Sequence, residues 1–269
     1  MAGQSRNPDR LNFKAMITII SPAKKLDIKS ETGGMKHTTP EFTDKAAALV
    51  EELRQFSPTD LAVLMNVSND IANLTFERYS QWKEPFNTTN ARQALFAFKG
   101  DVYRSLDAGS LGKDDLEFAQ GHLRIISGLY GILRPLDLIR PYRLEMGAAF
   151  TTSEGGSLYD YWTATITKAL NKELKKQNTA VLVNLASQEY FRAVDTDKLE
   201  GDVITPVFKE YRDDQYKVLG ILAKKARGMM VRFIIRKRID DPQEIKLFNE
   251  GGYSFDYNLS SEKEWVFTR

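Results

Sequence analysis

Between Gly121 and Gly147 the chain reads GHLRIISGLYGILRPLDLIRPYRLEMG, and no other stretch limits the possible folds as much. Leu123, Ile125, Ile126, Leu129, Ile132, Leu133, Leu136, Leu138 and Ile139 supply enough apolar surface to bury it. Four arginines, Arg124, Arg134, Arg140 and Arg143, are spaced along the same stretch, with Asp137 and Glu145 as its only acids. Surface loops do not have this make-up. A guanidinium set on a buried framework is held in place, and a fixed planar fork suits phosphate or carboxylate. The pattern equally describes structural ion pairs with acids elsewhere, so both readings stay open.

Around this stretch the periodicity predicts mixed secondary structure, with helices clustered in the first half and strands more frequent later. Ile17 to Ile20 reads as a buried strand, stopping at Ser21-Pro22-Ala23-Lys24-Lys25. Two lysines at a strand's end are either an anion contact or a solvated turn. Residues 30–40, with Gly33-Gly34, read as loop. Helical spacing follows over 42–56, after Thr59-Asp60, and over 70–82. The cluster Asn87-Thr88-Thr89-Asn90 predicts the cap of a helix running from Ala91 to Leu106. Asp107 to Gly112 reads as a hairpin, and Lys113-Asp114-Asp115 opens a helix through Leu123 and Ile126 that Gly128-Leu129-Tyr130-Gly131 breaks. Pro135 and Pro141 leave room for about five helical residues between them. Leu158 to Leu174 is an amphipathic helix that Lys175-Lys176-Gln177-Asn178 ends. Ala180 to Leu185 is the clearest strand, continuously apolar as in a sheet covered on both faces. Asn184, Ser187 and Glu189 follow at its C-terminal end, where ligands meet open sheets. Val203 to Phe208 and Tyr216 to Leu222 read as a strand hairpin, and residues 251–255 and 265–267 as terminal strands.

Composition removes whole classes of chemistry. The chain has 269 residues and no cysteine, which excludes disulfides, thiolate catalysis and thiolate metal sites. Its two histidines, His37 and His122, nearly exclude a site built on several imidazoles. No cofactor motif is present: there is no Walker A sequence, no dinucleotide glycine fingerprint and no HExxH. Neither a cofactor nor a resident metal is expected. A net charge of +2 means that any basic surface must come from where charges sit. No apolar run reaches membrane-spanning length, and residues 1–15 lack the apolar core of a secretory signal. They are expected to form a disordered extension, with residues 16–269 as a single domain.

The densest positive charge is KKARGMMVRFIIRKR at 224–238, where seven of fifteen residues are basic and none acidic. On a helix, Lys225, Arg232 and Arg236 fall within about 40° of one another. That is either a phosphate-facing stripe or a solvated face, and the one-sided charge favours the stripe. The helices flanking 107–112 also suggest a helix-hairpin-helix in which Lys113 would meet phosphate. Against it, Asp114 and Asp115 sit at the same helix N-terminus. The GxxG at 128–131, between Arg124 and Arg134, is the second candidate hairpin.

Several segments carry a family resemblance: ISPAKKLD at 20–27, ARQALFAFKGDVY at 91–103, HLRIISGLYGILRPLDLIRPYRLEMG at 122–147, NLASQEYF at 184–191 and AKKARGMMVRFII at 223–235. From Met16 onward the chain resembles the YaaA family of bacterial proteins, which is linked to peroxide stress. The resemblance implies a cytoplasmic protein that limits iron-dependent DNA damage and binds DNA, duplex or branched, without sequence preference. It also implies one compact mixed α/β domain, a mixed sheet flanked by helices with a helix-hairpin-helix element and a positive cleft. The expected DNA-binding residues are Lys24, Lys99, Lys113, Arg124, Arg134, Arg143, Lys224, Lys225, Arg227, Arg232 and Arg236. No membrane and no protein partner is expected. The competing expectation is an enzyme acting on an anionic small molecule or nucleotide in the same cleft, lined by Asn184, Ser187, Glu189, Tyr190 and Lys224. Direct iron sequestration is the weakest reading, because only oxygen ligands would be available.

Overall fold

A computed structural model describes residues 16–28, 36–177 and 180–269. The expected disordered extension (1–15), the Gly33-Gly34 part of the expected loop and Asn178 lie outside the described residues. In chain order the strands are β1 (Ile17–Ile20), β2 (Lys25–Leu26), β3 (Arg92–Gln93), β4 (Phe98–Lys99), β5 (Leu123–Ser127), β6 (Gly131–Leu133), β7 (Leu138–Ile139), β8 (Val181–Leu185), β9 (Asp202–Arg212), β10 (Gln215–Lys217), β11 (Ser254–Phe255) and β12 (Glu264–Thr268). The α-helices are α1 (Thr43–Leu53), α2 (Pro58–Met65), α3 (Asn69–Gln81), α4 (Ala94–Ala97), α5 (Asp101–Leu106), α6 (Lys113–His122), α7 (Leu158–Lys176), α8 (Gln188–Phe191) and α9 (Gly220–Lys237).

An eight-stranded mixed sheet runs in the order β11-β12-β9-β8-β1-β5-β6, with β10 paired to β9. Its five inner strands, β12, β9, β8, β1 and β5, are parallel. Every residue of β1, β5 and β8 is buried, as helices packed over a parallel sheet require. The chain leaves β1 to form β5 on one side and later returns to form β8 on the other. Connections after β1 and β8 therefore diverge. In open sheets of this kind the divergence opens a crevice at the C-terminal ends of the two strands.

Several expectations are corrected. The helix expected from Ala91 to Leu106 is instead β3, α4, β4 and α5 in succession. Its backbone is taken by distant partners: the Ala94 and Leu95 amides donate to the Asp137 and Pro135 carbonyls, and β4 pairs with β2. The helix expected to continue through Leu123 and Ile126 ends at His122, and Leu123–Ser127 becomes strand β5 beside β1. Ile125 and Ile126 fit either period, and parallel pairing with β1 decides it. The turn at 128–131 consequently joins two antiparallel strands, so it is no helix-hairpin-helix. Strand β10 stops at Lys217 and α9 begins at Gly220, short of the strand expected to Leu222.

Helices α5 and α9 pack directly on each other. A Cβ on Gly228 would stand 2.1 Å from the Val102 carbonyl oxygen and 2.9 Å from Ser105 Cβ. Gly228→Ala gains about 1 kcal/mol in helix propensity, yet the clash is with rigid backbone. The expected net effect is a loss of about 1–2 kcal/mol, since overpacking typically costs about 1–3. Urea denaturation of the variant checks this; a rise in stability would show that α9 does not approach α5 so closely.

Candidate functional site

At the crevice between β1 and β8 lies a cleft of about 370 Å³. One wall is Ser21 to Lys25, which continues β1; another is Leu185 to Tyr190, which continues β8. Residues 99–103 and one face of α9, with Lys224 and Arg227, close it. The strand ends are tied together at the floor. Ser21 Oγ accepts the Ser187 amide at 2.8 Å and lies 3.2 Å from Ser187 Oγ. The buried Tyr103 hydroxyl donates to the Ser21 carbonyl at 2.9 Å. Asn184, expected to line the cleft, is buried beneath it; its Oδ1 accepts the Ala186 amide at 3.0 Å and shapes the end of β8.

Five cations line this cleft, Lys24, Lys25, Lys99, Lys224 and Arg227, against two carboxylates, Asp101 and Glu189. Both carboxylates have other partners. Asp101 pairs with Arg104, and Glu189 accepts the Gly147 amide at 3.1 Å. Lys25 stands directly opposite Lys99 in the β2–β4 ladder, an arrangement that like charges make unfavourable without an anion nearby. Asp27 offsets part of this, at 3.8 Å from Lys99 and 3.3 Å from Arg92. Burial pushes the Arg227 guanidinium below its ordinary value, and among the described residues no acid counters it. It remains protonated, because guanidinium does not lose its proton in proteins. A half-buried arginine without a carboxylate, beside four lysines, is a stable arrangement only where an anion or water meets its fork.

Of the eleven residues expected to meet DNA, Lys24, Lys99, Lys224 and Arg227 line this cleft, and Arg143 lines a small hollow adjoining it. Arg124 and Arg134 line a separate hollow with Glu41, Asp137 and Glu173. Arg124 is 5% exposed, and its Nη2 donates to Glu173 at 2.7 Å. Arg134 grips the buried Asp137 through Nε at 3.1 Å and Nη2 at 2.8 Å. Arg232 reaches away from the cleft to the Leu106 and Asp107 carbonyls and to Ser110 Oγ, at 3.1, 3.2 and 2.6 Å. Arg236 faces the Ser110 carbonyl at 3.5 Å. Arg232 and Arg236, two of the three residues of the expected stripe on α9, thus clamp the α5–α6 connection. Lys225 and Lys113 are exposed outside the cleft. At the N-terminus of α6, Asp115 accepts the Gly112 amide at 3.1 Å, and Arg238 lies 3.5 Å from Asp114. Asp115 occupies the Gly112 amide, and the two acids at this end oppose an incoming phosphate. Lys25 and Ser21 belong to the cleft and were not among the expected DNA-binding residues; the adjacent lysines after β1 were their only trace in the sequence.

The family model for the peroxide stress protein YaaA matches residues 16–259. This chain belongs to the YaaA family. UPF0246 proteins of Burkholderia mallei, Burkholderia pseudomallei and Burkholderia thailandensis are each 49% identical to it over 256 residues, covering 94% of this chain and 98% of theirs. Among the described residues, no helix of this YaaA-family chain is long and apolar enough to cross a membrane.

The Arg124–Glu173 contact reads as a structural pair. Glu173→Gln leaves a buried guanidinium uncompensated, and the expected cost is roughly 3 kcal/mol, the lower end for breaking a buried pair. Chemical denaturation measures it. A change below about 0.5 kcal/mol, the range of ordinary surface substitutions, would remove Arg124 from the structural set.

Proposed function

We propose that this YaaA-family protein binds the phosphate backbone of DNA without reading base sequence, and that a backbone phosphate seats in the cleft between β1 and β8. One observation carries the reading. Cations from three separate chain segments converge on a single strand-end crevice, and among the described residues no carboxylate pairs with Arg227. Charge recognition of phosphate is indifferent to sequence, because bases are read in the grooves. Lys24, Lys25, Lys99 and Lys224 would neutralise phosphates and release counterions, while Arg227 would supply the directional fork. A duplex is too wide for about 370 Å³, so the cleft takes only what projects into it: a phosphate and its sugar. In a peroxide response, we read this binding as limiting iron-dependent damage to DNA.

A second reading has an observation of its own. The cleft volume lies in the range of small-molecule sites, and Ser21, Ser187 and Glu189 line it beside the cations. These groups suit an enzyme acting on a phosphate-bearing small molecule. Both readings need the same cations.

Fluorescence anisotropy with duplex DNA at several salt concentrations tests the first reading. The logarithm of affinity is expected to fall linearly with the logarithm of salt, with a slope of about −0.9 for each phosphate contacted. Arg227→Gln is expected to weaken binding roughly tenfold, as for loss of one charge-assisted contact. Absence of duplex binding at low salt would sink the DNA reading. Tight binding of a mononucleotide by the same protein would then support the second.

A further inference from the structure

Strand β9 runs well past the end of its neighbour β8. Their register sets Val183 opposite Ile204, and so Leu185 at the level of Pro206, yet β9 continues to Arg212. The overhang pairs with β10, and Tyr216 stands directly opposite Tyr211. The other edge of β9 is taken by β12 as far as Lys209 and then by the Arg269 carbonyl, which accepts the Tyr211 amide. The β9–β10 hairpin therefore stands on the β8 side, beyond the end of β8, at the sheet edge where the cleft opens. Helix α9 begins soon after β10, and its first two turns bring Lys224 and Arg227 to the cleft. Four extended residues and one helical turn separate Tyr216 from Lys224, a span of about 20 Å at most.

This hairpin exposes more than its turn requires. Asp213 and Asp214 both have positive φ, as a two-residue type I′ turn demands. Lys217 holds Asp213 at 3.0 Å, and the Tyr211 hydroxyl lies 3.4 Å from Asp214. The tyrosine rings are another matter. Tyr211 is 56% exposed and Tyr216 43%, with ring centroids 5.2 Å apart. A cross-strand aromatic pair steadies a hairpin, but much of both rings remains in water. Val218 and Ile221 are exposed as well, and Ile221 lies one turn before Lys224 on the same side of α9. Arg212, Lys224 and Lys225, all exposed, belong to the same segment. Exposed rings among cations, continuous with a cationic cleft, complement a ligand that carries flat apolar rings on an anionic backbone.

We infer that Tyr211 and Tyr216 form a stacking platform for unpaired bases of a nucleic-acid strand whose phosphates continue past Lys224 into the cleft. The inference rests on the phosphate reading of that cleft. Every base has a π face, so stacking adds affinity without reading sequence. A duplex already stacks its bases on one another, so the platform selects a strand with an unpaired segment. Val218 and Ile221 lie between the platform and Lys224 and cover the apolar parts of the nucleotides that bridge them.

The full-length protein, wild type and as Tyr216→Thr, Tyr216→Phe and Arg227→Gln, is titrated with two fluorescein-labelled probes of equal phosphate number across a range of salt. One is an oligothymidylate of about ten nucleotides, within the span of a single such site; the other is its abasic counterpart. Wild type is expected to bind the thymidylate about tenfold more tightly, as for one stacked base. Tyr216→Thr keeps a β-branched residue in the strand and is expected to remove most of that difference, with abasic binding, salt slope and Tm little changed. Tyr216→Phe keeps the ring and is expected to retain the difference. Equal wild-type affinity for the two probes overturns the proposal, as does a Tyr216→Thr protein that prefers thymidylate as wild type does. If Tyr216→Thr loses both probes and Tm together, the ring is structural and the proposal fails. If it loses instead binding to phosphatidylglycerol vesicles, or self-association, with thymidylate binding intact, the patch belongs to a lipid surface or a second copy, and the proposal is likewise overturned. Arg227→Gln is expected to weaken both probes alike. If it does so while wild type does not distinguish them, the cleft reading stands and the platform alone fails. If wild type binds neither probe, both fail.

Discussion

Everything at the candidate site depends on where β1 sits. It pairs in parallel with β5 on one side and β8 on the other, and its apolar residues are buried on both faces. Parallel strands end at the same edge of a sheet, so the segments after β1 and β8 emerge side by side. Because the chain winds outward from them in opposite directions, nothing fills the gap between. The Ser21–Ser187 contact ties the two ends at the base of that gap. The position of the lysines after β1 follows from the backbone pairing of β1, whose own four residues carry no charge.

The charges then divide by partner. Arg124, Arg134 and Arg232 each meet buried acids or backbone carbonyls and hold elements together. Removing such a pair leaves a charge without compensation, so these groups belong to stability. Lys25 and Arg227 are arranged the opposite way: Lys25 opposes Lys99, which Asp27 offsets only in part, and among the described residues no acid pairs with Arg227. That arrangement costs free energy in the folded protein, and it is tolerable where an anion offsets it. The distinction between the two sets is a matter of partners, since residue type is the same in both.

Helix α9 serves both purposes from two faces. Gly228 lets it lie close against α5, and Arg232 and Arg236 fasten the connection that follows α5. Lys224 and Arg227, one turn apart, face the cleft. A helix held this firmly presents its cations at fixed positions, which favours recognition of a group with fixed geometry.

Much of this was legible in the sequence. Apolar runs located β1 and β8, amphipathic spacing located α7 and α9, and the distinctive segments carried the family. Lys24, Lys99, Lys224 and Arg227 were legible as cations in those segments. The fate of residues 91–106 and 123–127 was not, because local spacing suits helix there while distant carbonyls and the edge of β1 claim the backbone. Nor was the partition of the arginines. By itself, the sequence determined which side chains are charged, where the apolar runs lie, that cysteine chemistry is excluded and that a site of several imidazoles is nearly so. Only the tertiary structure decided which cations meet an acid and which are left facing a cleft, because an ion pair depends on distances of a few ångströms between residues far apart in the chain.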